Sequence, residues 1–179
     1  PIIAALSRGD EQAVRQHLDA GVSPYAPGLI ASALASGKVG IVEAFIQHGL
    51  DLSLPFNVHG ETPIFRSISM RKKYINILKF LIERGLASGL PKSGDSTPLH
   101  CAAGSWPEAM PLLLEAGSDV NAQSDIGRTP LMSAAFDNQI ASLEQLLSAG
   151  ARLEDQDNEG TTALILAARA GKAEAVEWL

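Results

Sequence analysis

Thr97-Pro98-Leu99-His100 returns, altered, as Thr62-Pro63-Ile64-Phe65, Thr129-Pro130-Leu131-Met132 and Thr162-Ala163-Leu164-Ile165. These threonines stand 35, 32 and 33 residues apart. A second marker runs out of phase: Gly21, Gly49, Gly85, Gly117 and Gly150 each close an apolar stretch such as Pro111-Leu112-Leu113-Leu114-Glu115-Ala116-Gly117. Self-similarity at such a period means that each unit is one small module, burying its apolar face only against its neighbours.

Within a unit the chemistry is that of two helices and a connecting finger. Thr before Pro suits a helix start, because the hydroxyl satisfies an orphan amide and Pro at the first helical position loses no hydrogen bond. Ala102-Ala103, Ala134-Ala135 and Ala167-Ala168 let neighbouring helices approach closely. Leu112-Leu113-Leu114 and Leu143-Leu146-Leu147 give the second helix an apolar stripe. Glycine then supplies a left-handed cap. The stretch from that glycine to the next Thr is expected to be an extended finger.

The combination resembles the ankyrin repeat, most closely from Thr97 to Ala168, where Gly117-Ser118-Asp119-Val120-Asn121-Ala122 and Gly127-Arg128-Thr129-Pro130-Leu131 stand. A tetratricopeptide array has a similar period but lacks the Thr-Pro start and the long finger. The resemblance implies an all-α solenoid of helix-turn-helix units with extended β-hairpin-like fingers. It is read as one domain over 1–179, with repeats at approximately 1–27, 28–60, 61–95, 96–127, 128–160 and 161–179, the first and last incomplete. More sequence is therefore expected to flank this chain. Three places depart from the pattern. The link Gly21–Gly28 is too short for a finger, extra residues fall around Met70–Tyr74, and the link Gly104-Ser105-Trp106-Pro107 is one residue short.

Composition excludes several classes. Twenty acidic against fourteen basic residues give a net charge of −6, which opposes general binding to nucleic-acid phosphates. The longest apolar stretch, Gly28–Gly37, is too short to span a bilayer, so no membrane insertion is expected. A single Cys rules out an internal disulfide. The reading favours a monomer in the cytoplasm, with the periplasm open if an upstream signal peptide has been removed.

Catalytic constellations are missing from the sequence. The histidines His17, His48, His59 and His100 are dispersed, without metal-ligand spacing, so neither metal nor cofactor is expected. Cys101 follows His100 directly, and adjacent helical positions point about 100° apart, so a packing role is expected for the thiol. His100 occupies the place where the resemblance implies hydrogen bonding between repeats. Ser36-Gly37-Lys38 lacks the first glycine and the Ser or Thr of a phosphate loop. The carboxylates Glu154, Asp155, Asp157 and Glu159 read as a solvated hairpin.

The resemblance also implies where a partner protein docks: at finger tips and exposed first-helix ends, which form a concave face. By position these include Val58, His59, Ser93, Asp125 and Ile126 at the tips, and Met70, Phe136, Asp137 and Arg169 at helix ends, with Trp106 in the short link. Phe136, Ile126, Met70 and Val58 are the apolar anchors of this set. Over residues 66–84 six basic residues face only Glu83, and Arg71, Lys72, Lys73 and Tyr74 concentrate that charge at the insertion. Asn121 matches a position that many ankyrin proteins of eukaryotes present for β-hydroxylation, and its expected structural role is a hydrogen bond within its own finger. The function expected is a non-enzymatic interaction scaffold. The alternatives are a dedicated inhibitor of the bacterial immunity type, blocking an enzyme, and the regulatory or targeting segment of a larger protein.

Overall fold

Thr97, Thr129 and Thr162 are realised as helix N-caps, each with extended backbone and a hydroxyl that accepts from the amide three residues on, His100, Met132 or Ile165. Thr62 has the same backbone conformation, but its hydroxyl is buried and makes no hydrogen bond. In this computed structural model residues 2–57, 60–86 and 96–179 are described.

The chain forms two compact units, Pro1–Leu86 and Ala87–Leu179. The first contains three helix pairs: α1 (Ile2–Arg8) with α2 (Glu11–Asp19), α3 (Leu29–Ala35) with α4 (Val39–Gln47), and α5 (Pro63–Ser69) with α6 (Ile75–Glu83). The second contains α7 (Pro98–Ser105) with α8 (Met110–Glu115), α9 (Pro130–Phe136) with α10 (Ile140–Ser148), and α11 (Ala163–Arg169) with α12 (Ala173–Trp178). First helices pack on first helices, α1 on α3 on α5 in one unit and α7 on α9 on α11 in the other. Leu6, Leu34, Ile41, Phe45, Ile68, Ile77 and Leu81 fill one core, and Leu99, Met110, Leu113, Leu131, Leu143 and Leu146 the other. Cutting one of these leucines to alanine costs about 2–5 kcal/mol, the lost transfer energy plus the cavity left behind. Among the described residues no helix is long and apolar enough to cross a membrane.

The fingers are hairpin-like turns without a strand ladder. Among the described residues they contain no strand, only tight turns in which Ser124 N–H donates to Arg128 O at 2.9 Å and Asp157 N–H to Thr161 O at 3.0 Å, while Gly127 and Gly160 N–H donate back to Ser124 O and Asp157 O. Four- and five-residue turns at these tips leave no length for a ladder. Neighbouring tips are joined instead by Asn158, whose amide donates to Ile126 O and whose side chain donates to Asp125 O, both at 3.0 Å. The departures read from spacing are present. A turn at Ser23–Ala26 replaces the first finger, a 3-10 turn Arg71–Tyr74 holds the extra residues, and Pro107 opens a second 3-10 turn ahead of α8.

Asn121 is a correction. Its backbone amide does bond Asp119 within the finger, but the carboxamide reaches the following repeat, donating to Gly150 O (3.2 Å) and accepting from Arg152 N (2.9 Å).

Candidate partner-binding site

Asp125, Ile126, Phe136, Asp137 and Arg169, five of the site residues read from sequence, lie on finger tips and first-helix ends of the second unit. Phe136 ends α9 with 43% of its surface exposed. The Arg128 guanidinium lies over that ring at 5.6 Å. Arg128 Nε forms a long ion pair with Asp157 Oδ2 at 3.9 Å, and this buried nitrogen makes no hydrogen bond. Ile126, two residues before it on the tip, is 54% exposed. A partly exposed aromatic, an exposed Ile and an Arg are residue types that protein interfaces use as anchors.

The next repeat repeats the geometry with other chemistry. Arg169 stands where Phe136 does, one period on, and donates to Thr161 Oγ1 at 3.2 Å, with Glu159 4.0 Å away. Asp137 is exposed and lies directly against Gly104, where a side chain would collide with its carboxylate. Loss of hydration raises the Asp137 carboxyl above its ordinary value, and Lys172 opposes the shift. Burial pushes Asp157 up as well, but the Thr161 and Glu159 amides together with Arg128 outweigh it and hold this carboxyl low.

Two site residues read from the sequence belong to the core instead. Trp106 is only 2% exposed: the backbone leaves α7 in an extended conformation at this residue, which sends the indole inward. Tyr74 is 5% exposed, and its hydroxyl donates to Ala35 O at 3.0 Å, so it fastens the insertion to the preceding repeat. Met70 is half-buried, while Arg71 is exposed and sits at a positive φ of 59°. Val58, His59 and Ser93, and the side chains of Lys72 and Lys73, lie outside the described residues. Arg128 escaped the sequence reading. The signal available was its distance of eight residues from Phe136, the spacing that also relates Thr161 to Arg169.

The His100-Cys101 pair is structural. His100 Nδ1 accepts from Thr97 N (3.1 Å), which leaves Nε2–H to donate to Arg128 O (2.7 Å) across the repeat boundary. Burial pushes the Cys101 thiol up to about 11, so it remains protonated at neutral pH and is a poor nucleophile.

A profile of three ankyrin repeats matches residues 99–179. With the Thr caps, the paired helices and the knitted fingers, this decides the family. The chain belongs to the ankyrin repeat family. It is 29% identical over 152 residues to the ankyrin repeat domain-containing protein SAT10 of Stachybotrys chartarum, covering 83% of this chain and 7% of that protein. It is 30% identical over 148 residues to the human transient receptor potential cation channel subfamily A member 1, covering 81% and 13%. Phosphocholine transferase AnkX of Legionella pneumophila is 25% identical over 142 residues, with 76% and 15% covered. This ankyrin chain therefore spans 7–15% of the length of these relatives. Ankyrin repeats generally mediate protein–protein interaction and are generally not themselves catalytic, although relatives include enzymes that carry them.

Proposed function

We propose that this ankyrin chain is an interaction module that binds a partner protein through its finger tips and inner-helix face, with Phe136 and Ile126 as anchors and Arg128 beside them. The observation that carries the reading is the Phe136 ring, exposed at the end of α9 beside the Arg128 guanidinium, with Ile126 exposed on the adjoining tip. Exposed aromatic and aliphatic side chains on adjoining tips and helix ends are the typical anchors of protein interfaces. Thirteen acidic against five basic residues over 87–179 further oppose a nucleic-acid partner for this part of the chain. The test is affinity capture with this chain as bait, identification of the retained protein, and a binding comparison between the native chain and Phe136→Ala. A partner held equally well by both removes the reading.

A second reading is supported by the relatives' proportions. Proteins named as a channel and as a transferase match this chain over a small share of their length. In this reading the ankyrin stack is the recognition segment of a larger protein. The length of the native open reading frame tests it.

A further inference from the structure

The first unit has a cavity of about 260 Å³ where the inter-helix turns of its first two repeats meet. Its walls include Ser7, Arg8, Ser32, Ala35, Ser36 and Lys38. The volume far exceeds the ~30 Å³ share of one water. Lys38 Nζ donates to Gly9 O at 2.9 Å, which ties the two turns together and leaves two donors on an exposed ammonium. Arg8 is exposed and has neither ion pair nor hydrogen bond among the described residues. The carboxylates that follow Arg8 in sequence are engaged elsewhere: Asp10 accepts from Ala13 N, and Glu11 is held by Arg15.

The serines decide what kind of ligand fits. Each hydroxyl already donates to a carbonyl of its own helix: Ser7 to Ile3 O, Ser32 to Gly28 O, and Ser36 to Ala33 O at 2.6 Å. Ser36 Oγ already accepts from Lys38 N at 3.2 Å, and the lone pairs left on the three hydroxyls are acceptors, which repel a bare oxoanion and suit N–H donors. The cavity offers two cations and a set of acceptors at once. An extended peptide with acidic side chains offers the complement, carboxylates for Arg8 and Lys38 and backbone N–H groups for the hydroxyls. The Tyr74 bond to Ala35 O brings the Arg71–Tyr74 turn, which opens on exposed Arg71, against a residue of the cavity wall.

We infer that the edge of inter-helix turns centred on Arg8 and Lys38 docks an acidic, extended segment of a partner protein. The inference rests on the reading that the chain binds a protein, and it names the chemistry of one part of that partner.

The test uses the intact chain and a fluorescein-labelled hexaglutamate peptide, followed by anisotropy at low ionic strength. Hexaglutamate is expected to bind and hexalysine is not. Arg8→Glu should weaken binding at least about tenfold with an unchanged melting temperature, since Arg8 holds nothing in the fold. Lys79→Glu, which changes net charge equally from an exposed site on α6, should leave binding within about twofold of native. Equal losses in the two variants overturn the site in favour of a general field. Displacement of the peptide by inorganic phosphate at low millimolar concentration overturns it in favour of a small-anion site. A chain that ignores hexaglutamate, yet holds a captured protein through Phe136, loses this inference and keeps the proposed function. A chain that binds hexaglutamate through Arg8 but whose captured partner is indifferent to Phe136→Ala does the reverse.

Discussion

The phenol of Tyr25 and the carboxamide of Asn121 hold equivalent places and make equivalent bonds. Each is the fourth residue after a closing glycine, Gly21 or Gly117. Tyr25 donates to Gly49 O (3.0 Å) and accepts from Asp51 N (2.8 Å), while Asn121 donates to Gly150 O and accepts from Arg152 N. In both cases the targets are the next closing glycine and the amide two residues beyond it. A hydroxyl and a carboxamide each carry one donor and one acceptor on a single side chain, so either can clamp the start of the following link. The first repeat, which lacks a finger, keeps its clamp by using a longer side chain.

Tyr25→Phe and Asn121→Ala should each lower stability by about 0.5–1.5 kcal/mol, the usual net worth of a hydrogen bond. Asn121→Asp keeps the acceptor for Arg152 N and loses the donor to Gly150 O, so its loss should be smaller than that of the alanine variant. Urea titration of the three proteins checks the order. A Tyr25→Phe chain as stable as native would mean that water replaces the phenol at no cost.

Gly117 and Gly104 are glycines for different reasons. Gly117 has φ of 83° with open space around a Cβ, so the whole cost of Gly117→Val is backbone strain, roughly 1–3 kcal/mol. Gly117→Asn should cost much less, since Asn tolerates this conformation. Gly104 makes room for the Asp137 carboxylate, which is exposed and free to rotate away. Gly104→Ala should therefore change the melting temperature little while moving Asp137.

Arg71 and Asn138 are the two non-glycine residues at positive φ among those described, 59° and 57°. Asn138 gains from its position: it accepts from Ala175 N at the start of α12 and donates to Glu174. Arg71 shows no such compensation in its backbone setting. Arg71→Gly should raise the melting temperature by relieving roughly 1–2 kcal/mol of left-handed strain, offset in part by the greater freedom of glycine when unfolded. Asn138→Gly should lower it. A fall in both would show that the Arg71 side chain, not its backbone, governs that turn.

Two histidines should respond to pH in opposite directions. His48 presents both ring nitrogens to acceptors, Nδ1 to Ala44 O at 2.7 Å and Nε2 to Asp19 at 3.0 Å, and only the imidazolium satisfies both. The Ala44 carbonyl first, and Asp19 after it, raise His48 above the ordinary value of 6.5. Its contribution is complete below about 6.5 and is lost as pH rises through the higher folded value. His100 needs the neutral ring, because Nδ1 faces the Thr97 N–H, and burial lowers it despite the Arg128 carbonyl. Its contribution is present above 6.5 and is lost as pH falls through the lower folded value. Relative to native, His48→Gln should be less stable at pH 5.5 and nearly unchanged at pH 8.5, by the linkage just given, at roughly one to two pH units either side of 6.5. A constant difference across that range would remove the charged His48–Asp19 pair.

Helices and caps were legible because they depend on local chemistry. Thr-Pro, the alanine pairs and the closing glycines each act within a few residues of themselves. The inward turn of Trp106 was not legible, since it depends on where α7 breaks, and one missing residue in a link does not say which side chain swings under. Tyr74 was read as surface because it follows three basic residues, yet its ring serves Ala35, thirty-nine residues earlier. The stacking of Arg128 on Phe136 joins a finger to a helix end, and a pattern of single positions cannot register such a pair. The clamp by Asn121 was misassigned for the same reason: its targets lie in the next repeat.

The last prediction separates anchoring from steering. If Phe136 and Ile126 anchor a partner, truncating either removes contact that forms only in the complex, and such truncations typically cost about 2 kcal/mol or more. Phe136→Ala should weaken binding at least roughly tenfold, mainly through faster dissociation, without moving the melting temperature, because the ring is exposed and the helix ends there. Arg128→Ala should weaken it less, since the guanidinium contributes hydrogen bonds at the edge of the ring. Reversing Arg71, Lys72 and Lys73 to Glu should slow association at low salt and lose its effect as salt shortens the range of the charges. Surface plasmon resonance at two ionic strengths reads both rates. If Phe136→Ala unfolds the chain, the ring supports α9 and not a partner. If the basic variant abolishes binding at every salt concentration, the partner sits on the Arg71–Tyr74 turn, and the inner-helix face of the second unit is not its site.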